Sequence, residues 1–219
     1  MPSSLSDLPM LHGVSAERLD ALAARARHRR YPAGQVLCTA GDPVDHLVVL
    51  LGGRVKSARV GVDGREVVLR ACGPPVAFDK AALLAGTPHR TTLTALTPVD
   101  VAYLPRHTIL DLIAEEPSVA ARLLRTLAET VCDLDERLTD VVLLDVTSRV
   151  AKWLVRNGAD GPAVLHAGQS GLAAELGASR VAVNRALRSL ERRGLIKITQ
   201  GELHLLDHPA LALLYDTPG

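Results

Sequence analysis

The chain has 219 residues, 25 Lys and Arg against 24 Asp and Glu, 47% hydrophobic and 22% charged residues, the balance of a globular protein with room for two modest domains. No apolar run is long and uncharged enough to cross a bilayer, and the opening Met-Pro-Ser-Ser-Leu-Ser-Asp lacks the basic and apolar stretches of a secretory signal, so a cytoplasmic protein with no membrane partner is expected. Cys38, Cys72 and Cys132 lie far apart, which suggests neither a disulfide framework nor a paired-cysteine zinc motif; reduced thiols are expected, and no metal ligand set is read from the spacing.

The first part reads as β-rich. A helical start runs to about residue 27. Short β-branched and apolar runs follow at 35–38, 46–51, 54–60, 66–70, 91–95 and 99–104. Turn signals separate them at Gly41-Asp42-Pro43, Gly52-Gly53, Asp63-Gly64 and Gly73-Pro74-Pro75. Strands at this spacing predict a small barrel or roll rather than a parallel sheet. Residues 78–84 read as one short helix set into it.

The middle is acidic: residues 107–146 hold 3 basic and 9 acidic side chains, against 13 and 9 in residues 1–106 and 9 and 6 in residues 147–219. Pro117, after Glu115 and Glu116, suits the first turn of a helix, where its missing N–H is not needed. From there Ala120, Leu124, Leu127, Val131, Leu134, Leu138 and Val141 recur at steps of four and three, a heptad seam suited to a two-stranded parallel coiled coil. Val119 and Leu123 lie off the seam and predict local packing on one flank. A homodimer is expected.

Residues 169–190 carry the most specific pattern. Leu172, Ala173 and Leu176 give a short first helix one apolar face, and Gly177 supplies a turn. Ser179 is a natural N-cap for a second helix whose inward stripe is Val183, Ala186, Leu187 and Leu190. Arg180, Val181, Asn184, Arg185 and Arg188 are left on its open side, where guanidinium groups could reach guanine edges or phosphates in a major groove. Residues 195–199 and 202–206 alternate about Gln200-Gly201 as a hairpin, and 208–215 reads as a last short helix with Pro209 near its start. Helix, turn, helix and hairpin together make a winged DNA-reading element.

The order of these parts resembles the cyclic-AMP receptor and fumarate-nitrate regulator superfamily of transcription factors. Gly34, Leu37, Gly41-Asp42, Leu47, Gly53-Arg-Val-Lys56, Asp63-Gly64 and Gly73 match the roll, and Ser179-Arg180, Val183, Arg185 and Leu187 match the recognition helix. The resemblance implies an α+β fold: a cyclic-nucleotide-binding-like sensor roll over 1–110, a dimerisation helix over 111–145, and a winged helix-turn-helix over 146–219. It implies a homodimer on an inverted-repeat duplex, base-edge contacts from Arg180 and Arg185, and RNA polymerase as a further partner. Val181 departs from the family's usual glutamate, so the half-site is expected to differ there.

The effector cassette departs further. Family members that bind cyclic nucleotides carry Phe-Gly-Glu, a short helix, then Pro-Arg and a small or hydroxyl residue. Here Phe78 is followed by Asp79 and Lys80, and His89 stands as an extra residue between Pro88 and Arg90, before Thr91 and Thr92. An acid at the glycine position repels a phosphate, and a lysine cannot accept a ribose hydroxyl's hydrogen bond. The expectation is a signal other than cyclic AMP or a vestigial pocket, with the cofactor unknown. Three scattered cysteines do not suit a four-thiolate iron–sulfur cluster. Haem would need an axial ligand from His12, His28, His46, His89, His107 or Cys72, and a redox switch would draw on Cys38 or Cys72.

No Gly-x-Ser-x-Gly elbow, phosphate-binding glycine loop or His-Glu-x-x-His motif occurs, so no catalytic residue is read. The competing reading is a ligand-sensing module that docks a protein partner instead of DNA.

Overall fold

The computed structural model describes residues 4–61, 64, 66–158, 161–165, 168–199 and 202–216. Two single 3₁₀ turns, Leu5–Asp7 and Pro9–Leu11, lead into helix α1 (Ala16–Arg25), whose N-cap Ser15 accepts from Arg18 N–H. The helical start is therefore interrupted, and its end is earlier than expected. Residue 27 already belongs to strand β1 (Arg27–Tyr31), in which Tyr31 alone is buried. Its Arg-His-Arg-Arg run hides the strand from any apolar pattern. Edge strands tolerate such charge, and β1 pairs on one side only, with β8 (Val99–Pro105).

The strands between are β2 (Val36–Cys38), β3 (His46–Gly52), β4 (Val55–Val60), β5 (Glu66–Cys72), β6 (Val76–Phe78) and β7 (Thr92–Ala95). They form two four-stranded sheets, ordered β1-β8-β3-β6 and β2-β7-β4-β5. The roll expected from strand spacing is present. β6 was hidden behind the cluster of glycine and prolines, and Phe78 ends that strand instead of opening a helix; helix α2 is Lys80–Ala85.

β3 explains the layering. Leu47, Val49 and Leu51 join Leu8, Leu11, Leu83, Ile109 and Val119 in one core, while Val48 and Leu50 face Val55, Phe78, Leu93 and Val101 in a second core. Alternate residues of one strand thus serve helices on one side and the other sheet on the opposite side, which is why its sequence is continuously apolar. Gly53 closes the turn after β3 with φ +81°, and a Cβ there would lie 2.2 Å from the Pro98 carbonyl oxygen. Only glycine fits that approach.

Helix α3 (Arg106–Glu115) precedes the long helix α4 (Pro117–Leu143). The segment expected as one helix over 111–145 is therefore the end of one helix and the whole of a second, broken at Glu116. Pro117 opens α4 as its ring geometry predicts.

The chain divides into two compact units, Met1–Glu66 with Ala71–Val131, and Val67–Arg70 with Cys132–Gly219. In the second, helix α5 (Val146–Asn157), strand β9 (Ala163–Val164), helices α6 (Gly168–Glu175) and α7 (Arg180–Arg192), strands β10 (Ile196–Thr199) and β11 (Glu202–Leu205), and helix α8 (His208–Ala212) share one core. β10 and β11 pair antiparallel with Thr199 opposite Glu202, and β9 extends them to three strands. The connecting Gln200-Gly201 lies outside the described residues, as does Asp63 of the predicted Asp63-Gly64 turn. The last helix stops at Ala212, three residues short of its expected end. Among the described residues, no helix is long and apolar enough to cross a membrane.

Candidate nucleic-acid interface and effector cassette

α7 is organised from the inside out. Val183, Ala186, Leu187 and Leu190 are each at most 3% exposed. They bury one stripe against α5 and α6, with Leu154, Leu172 and Ile196 in the same core. Ser179 caps the helix, its hydroxyl accepting from Ala182 N–H at 3.1 Å. Gly177 turns the chain between α6 and α7 at φ +59°, where a Cβ would meet Val141 at 3.3 Å. Once the stripe is buried, the 3.6-residue period leaves Arg180, Val181, Arg185 and Arg188 exposed together. They line an open concavity of about 960 Å³ with Arg192 and Glu191. Asn184 also lines it, yet its amide donates to Gln169 Oε1 at 2.7 Å. That bond ties α7 to α6. Gln169, which spacing alone did not single out, is its partner.

α5 is fastened to the end of α4 within the same unit. Lys152 Nζ lies 2.7 Å from Asp140 and 2.8 Å from Glu136, and Arg156 lies 3.2 Å from Glu136. Burial pulls the Lys152 pKa down, but the hydrogen bonds it donates to Asp140 and Glu136, with their negative charge, outweigh it and leave the pKa raised.

The heptad stripe of α4 is bare. Leu124, Val131, Leu134 and Leu138 are 59–67% exposed, Val141 is exposed as well, and Leu127 is half-buried. Val119 and Leu123, off the stripe, are buried in the first unit's helix-side core, as their position predicts.

The cassette is assembled differently from the motif alone. Phe78 is a core residue between the two sheets. Asp79 takes φ +55°, the one non-glycine positive φ among the described residues, and its carboxylate bonds His89 Nδ1 at 2.5 Å. Lys80 Nζ donates to the Ala77 carbonyl. Arg90 is exposed and its carbonyl accepts from Arg59, while the Thr92 hydroxyl accepts from Ala40 N–H; Thr91 is half-buried. His89 is 7% exposed and held on both sides of its backbone, its N–H donating to Asp42 O and its carbonyl accepting from Gly41 N–H. His12, His28, His46 and His107 are exposed. The sequence marks His89 as an extra residue of the cassette and one of several possible haem ligands, not as a partner of Asp79. The signals that pointed to it were its place as an extra residue before Arg90 and the acid at a glycine position.

Cys38 completes this neighbourhood. Burial pushes its thiol up to about 12, with the Asp79 and Asp42 carboxylates adding to the effect against a hydrogen bond from the Leu93 backbone. A cysteine, histidine and aspartate can serve as a nucleophile relay, and burial here disfavours the thiolate that such a role needs.

Family models for the cyclic nucleotide-binding domain and the Crp-like helix-turn-helix domain match residues 28–116 and 148–214. The chain is 30% identical over 220 residues to a CRP-like cAMP-activated global transcriptional regulator of Mycobacterium tuberculosis, covering 97% of this chain and 98% of that one. It is 28% identical to the cyclic AMP receptor protein of Thermus thermophilus, over 90% and 92% of the two chains. The crystal structure of the Thermus thermophilus catabolite activator protein superposes with a TM-score of 0.58 at 27% identity, over 94% and 98% of the two chains. With a nucleotide-binding-type roll, a long helix and a Crp-like reading head along nearly its full length, the chain belongs to the cyclic-AMP receptor and fumarate-nitrate regulator family of DNA-binding transcription regulators.

Proposed function

We propose that two copies of the chain associate through the α4 stripe and read an inverted-repeat operator, answering a signal other than cyclic AMP. The observation that carries this reading is the row Leu124, Val131, Leu134 and Leu138, 59–67% exposed in a single chain. An apolar row of that regularity is unfavourable in water and is covered by a second copy of itself. The dyad then sets the two α7 helices in successive major grooves, about 34–36 Å apart. Arg180 and Arg185 reach base edges, Val181 touches a thymine methyl, and Ser179 and Arg188 complete the contact surface. Such a dimer works in the cytoplasm, beside RNA polymerase. Asp79, with its carboxylate turned to His89, sets negative charge where a cyclic phosphate would need donors, which supports a different input.

Fluorescence anisotropy on a selected operator at fixed salt tests the reading. Arg180→Ala should cost about 1–3 kcal/mol on the operator and much less on random duplex. Equal losses would reduce Arg180 to a phosphate contact. Added cyclic AMP should leave the affinity unchanged, and a large gain would show a conventional pocket.

A further inference from the structure

We propose that Cys38 Sγ, the Asp79 carboxylate and the His89 imidazole form a binding site for a divalent transition metal of the zinc class, and that this cation is the input of the regulator. The first half stands on the roll alone; the second rests on the DNA-binding reading above.

The three side chains come from separate elements: the end of β2, the residue before α2, and the loop leading into β7. One ligand atom from each lies within 4.8 Å of the other two, and among the described residues they are the group that meets this test. A tetrahedral zinc ion with bonds of about 2.0–2.3 Å sets its ligand atoms roughly 3–4 Å apart, so the Asp79 and His89 atoms, 2.5 Å apart, must open to admit the ion, while Cys38 Sγ already lies within reach of both. Thiolate, imidazole and carboxylate are together a zinc-class donor set, and three protein ligands leave a fourth position open for exchange.

Two further features mark the place as built. Asp79 stands in a left-handed conformation that glycine would adopt without strain, and strained non-glycine residues concentrate at functional sites. The β2–β7 register shifts between Val36 and Cys38, a bulge of the kind that re-aims a side chain. The Asp79–His89 hydrogen bond accounts for two of the three residues without a metal. It leaves the Cys38 thiol, which packs against the inter-sheet core with its sulfur within 4.8 Å of both, as the third donor. A cation there accepts the Cys38 thiolate, releases its proton to solvent, and turns the surrounding negative charge from a penalty into an attraction. It also joins α2 to the two strand ends.

The test uses the full-length protein, stripped with chelator under reducing conditions. Titration with Zn²⁺ should end at one ion per chain, and Co²⁺ should give a thiolate-to-metal charge-transfer band. Cys38→Ser should abolish that band, and Cys38→Ser and His89→Gln should each weaken Zn²⁺ binding by about a hundredfold or more, at or beyond the range for outer-shell partners. Circular dichroism checks that each variant folds; should His89→Gln unfold, Cys38→Ser decides. No stoichiometric uptake, or uptake that ignores Cys38→Ser, overturns the site. The same stripped and loaded protein is then titrated onto the operator. A shift of tenfold or more supports the cation as input, and equal affinities overturn that role while leaving the site. Failure to bind the operator in either state would instead count against the DNA-binding arrangement.

Discussion

The reading helix and the effector cassette are both short stretches matched to one family pattern, yet they carry their chemistry in opposite ways. α7 presents its proposed DNA-contacting groups on the outside of one helix, positioned by the stripe beneath them. The cassette draws on a strand end, a left-handed residue and a loop, and its departures from the pattern bond inward, Asp79 to His89 and Lys80 to the Ala77 carbonyl. A regulator can therefore keep its output surface while its input changes, because the two are held by different contacts within different cores.

The largest effect expected of a test belongs to the stripe. Leu187→Ala, at a position 1% exposed, should lower the stability of the second unit by about 2–5 kcal/mol in a denaturant titration. A loss under 1 kcal/mol would mean that burial does not orient the arginines. The α4 row follows. Leu134→Glu leaves the monomer's fold intact, since that side chain is 59% exposed, but sets a charge in the proposed seam. Sedimentation should show dimer affinity falling by more than about a hundredfold. An unchanged dimer would move the interface elsewhere.

What could be read from residues alone follows the same divide. The turn at Gly177, the cap at Ser179 and the stripe from Val183 to Leu190 are local, so period and capping chemistry revealed them. β3 and β4 announced themselves by apolar content. β1 did not, because an edge strand of arginines buries only Tyr31. The Cys38–Asp79–His89 group was illegible for another reason: its members are 10 to 51 positions apart, and proximity arises only when β2 pairs with β7 and the loop folds onto Gly41 and Asp42. The Asn184–Gln169 bond was illegible likewise, because helical phase shows that Asn184 shares the open face but not that its amide reaches across to α6.

A smaller effect tests the local half of this contrast. Ser179→Ala removes the acceptor for Ala182 N–H and should cost about 1 kcal/mol, seen as a lower unfolding midpoint. If stability holds but operator affinity falls, the hydroxyl serves DNA rather than the helix.

The smallest expected change is the sharpest for the cassette. Asp79→Gly restores the residue that the family pattern carries and relieves the positive φ, a gain of about 1 kcal/mol at most. It also strips His89, 7% exposed, of its carboxylate partner, and a buried polar group left unpaired costs about 1–3 kcal/mol. The two terms oppose, and the second is the larger. Metal-free protein should therefore lose a little stability, under about 1 kcal/mol if water reaches the imidazole. A net gain would show that Asp79 is merely tolerated where glycine belongs. A net loss, small as it is, would show that the strained backbone is kept for the sake of the His89 contact.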